Sequence, residues 1–246
     1  MLTQLFTDFQ KLANPTKATI LLRFFKTGEG EYGAGDQFLG LVVPQQRQLA
    51  KQYKDLPLSD IETLLHSKIH EHRMTALFIL IIQFQSAIKQ QNIKQQNQIF
   101  KFYLSNTQYI NNRDLVDLSA PNIVGNYLFQ TIITNEKTKS QQDPCKILYD
   151  LAHTKDLREK RIAIISTFAF IKNHLFDDTL AIAKILLKDK HDLIHKAVGR
   201  MLREVGKRCL EVEEEFLQIH YKTMPRTMLR YAIEKFPEEK RQQYLK

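Results

Sequence analysis

The chain has 246 residues and a formal charge of +9, from 36 Lys and Arg against 27 Asp and Glu. That length suffices for one large domain with a buried core, and the excess of cations favours an anionic partner such as nucleic acid or an acidic membrane surface. Only two cysteines occur, Cys145 and Cys209, with no CxxC pair, which excludes a disulfide framework or zinc module and points to a reducing cytosol.

The first residues, MLTQLFTDFQK, lack a basic n-region and a small-residue cleavage site, and the longest apolar run, Ala76 to Ile82, is too short to span a bilayer. The chain is therefore expected to be neither secreted nor membrane-spanning. Apolar residues recur at helical spacing nearly everywhere and period-two alternation is almost absent, so the fold is read as all-α. Thr16 before KATILLRFFK marks the first clear helix start. Residues 28 to 33, GEGEYG, match GxGxxG, but they follow a helix rather than a strand, and Glu29 and Glu31 would repel a pyrophosphate. Pro44 opens PQQRQLAKQY, whose Arg47 and Lys51 are candidate DNA-backbone contacts.

Ser67 precedes KIHEHR. In HSKIHEH, His66 and His70 stand one helical turn apart, but beyond Glu71 nothing completes a metal-ligand set, so these histidines are read as solvated or phosphate-facing. Two polar stretches read as linkers, KQQNIKQQNQ from Lys89 to Gln98 and NEKTKSQQD from Asn135 to Asp143. Between them, YINNRDLVDLSAP puts Asp114 and Asp117 on one turn of a helix, with Arg113 four residues before Asp117 and close enough to pair with it. The plain structural reading is a helix start capped by Asn112 or Asp114, with Asp117 in a surface ion pair.

Asp156 with Glu159 forms a capping box, and Pro225 opens PRTMLRYAIEKF. In DLIHKAVGRMLREVG, Leu193, Ala197, Met201 and Val205, with Ile194, Val198 and Leu202, form an apolar stripe. Lys196, Arg200, Arg203 and Lys207 follow on another face. The theme of basic, then small, then large apolar residues recurs in HRMTALFIL, KRIAIISTFAF, HKAVGRMLREV and LRYAIEKF, the last three about 35 residues apart. Two helices per unit at that period predicts a HEAT-like helical solenoid in a single domain over 1–246, with an irregular bundle as the other reading. Equivalent faces would then align the cations, with Arg226 and Arg230 in the last unit and Arg158 and Arg161 in an earlier one, on a concave basic face suited to a phosphate backbone. Ordinary solvation is the alternative for any single basic face.

Motifs spread over nearly the whole chain, FFKTGEGEYGAGDQFLGLVVPQQRQLAK, HEHRMTAL, NNRDLVDLSAP, REKRIAII, HKAVGRMLREVGKR and HYKTMPRTMLRYAIEKF, resemble the AlkD-like DNA alkylation-repair glycosylases. The resemblance implies a HEAT-like solenoid that wraps duplex DNA and hydrolyses the N-glycosidic bond of cationic N3- and N7-alkylpurines. It implies neither metal nor nucleotide cofactor, and no flipping of the base into a pocket. It puts the family's catalytic aspartate at Asp117 and its active-site arginine at Arg161. Three tryptophans of the pattern fall on Arg113, Arg158 and Arg200; the chain has no tryptophan. Lys196, Arg203, Lys207, Arg226 and Arg230 are the remaining expected DNA contacts. A monomer in the cytoplasm, associated with the nucleoid, is expected.

Those three arginines matter physically. The leaving base is already cationic, so the transition state needs an anion near an oxocarbenium-like sugar and a positioned water rather than an acid. A guanidinium in place of an aromatic face opposes that developing charge. At an effective dielectric of about 20, a unit charge at about 4 Å is worth roughly 4 kcal/mol, on the order of a thousandfold in rate. Three readings therefore stand: a glycosylase, a non-catalytic member that binds DNA structures, and a solenoid that binds an acidic protein.

Overall fold

The computed structural model describes residues 1–31, 33–138 and 143–245, and for residues 135–138 the backbone alone. The described residues form helices joined by turns, with one isolated parallel bridge between Gln37 and Ile69. The chain divides into two compact units, Met1–Ser119 and Ala120–Lys246.

The first unit runs α1 (Leu2–Leu12), α2 (Pro15–Phe24), α3 (Val43–Gln52), α4 (Leu58–Leu65), α5 (His70–Lys89), α6 (Ile93–Ser105), a 3₁₀ turn at Thr107–Tyr109, and α7 (Arg113–Ser119). Its axis is α5, which packs against α3, α4, α6 and α7. Every residue from His70 to Ile81 is buried, so α5 shows no apolar stripe and is a core helix on all sides. The N-cap of α2 is Asn14, whose Oδ1 accepts from the Lys17 amide at 3.0 Å, rather than the expected Thr16. An amide oxygen two residues earlier reaches the orphan N–H, and Pro15 needs none. Gly40 follows with φ +84°, where an added Cβ would lie 2.1 Å from the Asn14 carbonyl. Only glycine lets the loop before α3 lie against the start of α2.

The Gln-rich stretch is not a linker. Its second half is the start of α6, where Asn92 caps Gln95 and the buried Gln96 donates from Nε2 to the Ala87 carbonyl at 3.2 Å. Long amides here cap and cross-link helices, and composition alone does not distinguish that use from solvation.

The second unit begins with a π turn, Pro121–Gly125, then α8 (Asn126–Thr138), α9 (Lys146–His153), α10 (Leu157–Ser166), α11 (Phe168–Ile171), α12 (Asp177–Leu186), α13 (Asp192–Gly206), α14 (Leu210–His220), α15 (Arg226–Ala232), a 3₁₀ turn, Ile233–Lys235, and α16 (Glu238–Leu245). The expected linker from Asn135 is helical to Thr138, and its residues 139–142 lie outside the described residues. The recurring basic–small–apolar segments fall on α10, α13 and α15, which pack one on the next; α9 packs against α10, and both α12 and α14 pack against α13. Asp156 caps α10 by accepting from the amides of Arg158 at 2.7 Å and Glu159 at 3.4 Å. The stripe Leu193, Ile194, Ala197, Val198, Met201, Leu202 and Val205 is buried throughout. In the middle of α13, a Cβ on Gly199 would lie 2.3 Å from the Met228 carbonyl, so the glycine of HKAVGR is what lets α15 approach so closely.

Candidate active site and nucleic-acid interface

Helix α7 has seven residues and buries Leu115, Val116 and Ser119, which leaves Arg113, Asp114 and Asp117 half-buried along its other face. Asn112 Oδ1 accepts from the Arg113 amide at 2.8 Å and Asp114 Oδ1 from the Leu115 amide at 2.9 Å, so the two candidates share the first-turn amides. At the other end the Ser119 hydroxyl meets the fully buried Tyr103 hydroxyl at 2.9 Å. Burial pushes the Tyr103 phenol far above its ordinary range, despite that hydrogen bond. The guanidinium of Arg113 lies 5.8 Å from the ring centroid of Phe24, the last residue of α2, which is 60% exposed. An exposed aromatic face therefore stands beside position 113, brought from about 90 residues away in sequence, where local spacing gives no sign of it.

Asp114 points into a buried charged network. Its Oδ2 pairs with His70 Nε2 at 2.9 Å, and His70 Nδ1 faces Asp36 Oδ2 at 3.7 Å. Asp36 Oδ1 pairs with Arg73 Nη2 at 2.7 Å and accepts from Asn111 Nδ2 at 2.8 Å. Glu71 accepts from the backbone amides of Leu39, Gly40 and Leu41 at 2.8–3.2 Å. Burial opposes a charge on His70, but the hydrogen bond to Asp114 and the nearby Asp36 carboxylate outweigh it and hold the imidazole up to about 9. The Asp36 carboxyl is likewise penalised by burial, yet His70 and Arg73 keep it below its usual range. His72, desolvated and beside Arg73, is pushed down to about 4, with its ring against Phe6 and Phe9.

The reading of HSKIHEH as solvated or phosphate-facing thus fails for His70 and His72, both buried, while His66 is exposed with Nε2 at 3.1 Å from Asn106 Oδ1. The chemistry of HEHR is internal: one turn of α5 ties together α1, the loop over residues 36–41 and α7. Beside it opens a mainly apolar cleft of about 370 Å³, lined by Ile20, Leu21, Phe25, Phe38 and Met74 and edged by Asp114. GEGEYG is a turn after α2 in which Glu31 Oε2 accepts from the Gly28 amide at 2.9 Å; Tyr32 lies outside the described residues. No group of three His, Cys, Asp or Glu comes together as a metal site among the described residues, and no described helix is long and apolar enough to cross a membrane.

In the second unit Arg161 is 5% exposed, and its Nη1 donates to the Leu193 carbonyl at 2.5 Å, linking α10 to the start of α13. Arg158, on the same helix, has Asp156 at 3.8 Å, and Arg200 is half-buried on α13. Three cations of the α13 face have acidic neighbours: Lys196 with Asp192 at 2.5 Å, Lys207 with Glu204 at 2.6 Å, and Arg203 with Glu234. Burial raises the Glu204 carboxyl, but Lys207 and Arg208 more than offset it and hold it low. Arg226 donates to the Leu245 carbonyl, and Arg230 is exposed. In the first unit Arg47 sits 4.2 Å over the Phe78 ring and Lys51 is exposed. The basic stripe is therefore a lattice of cations with interleaved carboxylates.

A family model described as DNA alkylation repair enzyme matches residues 5–236. The chain belongs to that family. A solved structure described as a predicted DNA alkylation repair enzyme from Enterococcus faecalis shares the fold, with a TM-score of 0.68 over 92% of this chain and 97% of that one, at 15% identity. No curated protein matches. Membership of the DNA alkylation repair family, expected from the ordered motifs, and an all-α fold of the helical-repeat class, expected from apolar periodicity and the repeat theme, are borne out.

Proposed function

We propose that this member of the DNA alkylation repair family is a DNA glycosylase that releases cationic N3- and N7-alkylpurines from duplex DNA without flipping the base and without a cofactor. The observation that carries this reading is Asp117, a half-buried carboxylate on a short helix whose first turn is fastened by a buried ionic network. A fixed, ionised carboxylate is what the reaction requires, since the departing base is already charged and only the sugar cation and the attacking water need help. Asp117 stabilises the sugar cation and guides water; Arg161 orients the lesion strand. Arg47 and Lys51 in the first unit and Lys196, Arg203, Lys207, Arg226 and Arg230 in the second hold the DNA backbone, and the two units act as one DNA-binding domain of a monomer. A cytoplasmic, nucleoid-associated setting follows from such a substrate.

The Arg113 guanidinium over the Phe24 ring favours a second reading, a non-catalytic member that binds distorted DNA. A cation one turn before Asp117 opposes a developing sugar cation while attracting phosphate. Base release and DNA binding, measured together on the protein and on Arg113→Trp, separate the two. Release by the unaltered protein supports the glycosylase. Steeply salt-dependent binding without release, with release gained in Arg113→Trp, supports the second reading. Absence of DNA binding removes both and leaves an acidic protein as partner.

A further inference from the structure

The α7 helix is too short to hold its own direction. Two turns of isolated helix are marginal in water, so tertiary contacts must set the position of Asp117. Its buried side, Leu115, Val116 and Ser119, fixes the depth of the helix, but apolar contacts are non-directional. The buried ionic contacts at its start run to one place. Asp114 pairs with His70 at 2.9 Å, and Asn111 donates to Asp36 at 2.8 Å, the carboxylate that also faces His70 and holds Arg73 at 2.7 Å. His70 itself is clamped between the rings of Phe25 and Phe38, with centroids at 4.8 and 4.9 Å.

We infer that His70 is a positioning residue for Asp117: as a buried cation between Asp36 and Asp114 it fastens the first turn of α7 and offsets the charge of Asp114, which lies one turn before Asp117. This rests on the reading of Asp117 as the catalytic carboxylate. The charged groups acting on the imidazole are Asp114 from α7, Asp36 from the loop before α3 and Arg73 from α5 itself, while Glu71 beside it in sequence is spent on three backbone amides. Without the His70 cation, Asp114 becomes an unmatched negative charge on the same helix face as Asp117. Like charges at this spacing repel, and the helix start loses its anchor.

The test is single-turnover release of 7-methylguanine from duplex DNA by the full-length protein and four variants, with the Kd for the same DNA measured alongside. His70→Gln and Asp114→Ala are each expected to lower the release rate about 100-fold, the cost of a misplaced reacting group, while DNA affinity stays within about twofold. Asp114→Asn, which keeps an oxygen acceptor for the imidazole, is expected to retain most of the rate. The double variant His70→Gln/Asp114→Asn, with neither charge, is expected to regain at least about tenfold over His70→Gln. Asp114 is partly exposed, so Asp114→Ala tests the link even if His70→Gln does not fold. Wild-type rates in His70→Gln or Asp114→Ala would overturn the inference, as would a loss in parallel with DNA affinity, or a loss that the double variant does not regain. No release by the unaltered protein is a separate result, which overturns the glycosylase reading and this inference with it.

Discussion

The two units use charge in opposite ways. In the first, His70, Glu71, Arg73 and Asp36 are buried and bonded to one another or to backbone, so that charge serves as a fastener between segments distant in sequence. In the second, Lys196, Arg203 and Lys207 of the α13 face sit beside carboxylates, the stripe that α13 buries is apolar, and the buried charged residues Arg161 and Glu213 stand apart from one another. A buried ion pair is expensive to break because the partner is left desolvated, whereas an exposed one contributes little to stability and remains available to an external anion. On the proposed function, the first unit would use its buried charges to fix a catalytic group, and the second would use its surface cations to hold a polyanion.

The contrast can be broken most sharply at Arg73. Arg73→Met removes the closest cation from the buried Asp36 carboxylate, leaving it His70 and the amide of Asn111, and should cost about 4 kcal/mol in denaturant unfolding. An effect below about 1 kcal/mol would mean that water reaches the network. The corresponding weak point of the second unit is apolar. Gly199→Val, forced against the Met228 carbonyl, should cost about 3 kcal/mol and leave binding to DNA reduced in proportion to unfolding.

Each unit also holds a buried group that loses stability as pH rises from neutral into mild alkali. His70 is raised to about 9, so the stability it contributes is complete below pH 6.5, its ordinary value, and is lost as pH rises through about 9. Glu213, desolvated over Gly206 and near Glu214, is raised to about 8; its contribution is complete below pH 4.5 and is lost as pH rises through about 8. Denaturant midpoints of the protein should therefore fall between pH 7 and pH 9, and Glu213→Gln should flatten the part of the fall centred near 8. An unchanged profile in Glu213→Gln would show that Glu213 is ionised and paired in the fold. The smallest expected effect is at the surface: Arg230→Gln should leave stability unchanged and reduce the salt slope of DNA binding by about 0.9, one phosphate contact.

This contrast also explains what could be read from the sequence. The helices of the second unit were legible because their signals are local: Asp156 three residues before Glu159, and an apolar stripe of period 3.6 from Leu193 to Val205. The repeat theme was legible because α10, α13 and α15 solve the same packing problem in succession. The first unit was opaque where contacts are long-range. A polar run such as HEHR looks solvated until Asp36 and Asp114 are seen to reach it, and KQQNIKQQNQ looks like a linker until Gln96 is seen bonded to Ala87. The role proposed for Asp117 comes from the ordered motifs of the family, whereas the contacts around its helix could not be read, because ion pairs spanning 34 and 44 positions, Asp36 to His70 and His70 to Asp114, leave no periodic trace.

The central claim, that Asp117 is a working catalytic carboxylate, is tested most directly by incubating duplex DNA bearing 7-methylguanine with excess protein and quantifying the free base, for the unaltered chain and for Asp117→Asn. The account predicts release well above the spontaneous rate, falling to near that rate in Asp117→Asn while the Kd for DNA stays the same. Equal release by the two proteins, or none above the spontaneous rate from the unaltered chain, would contradict it.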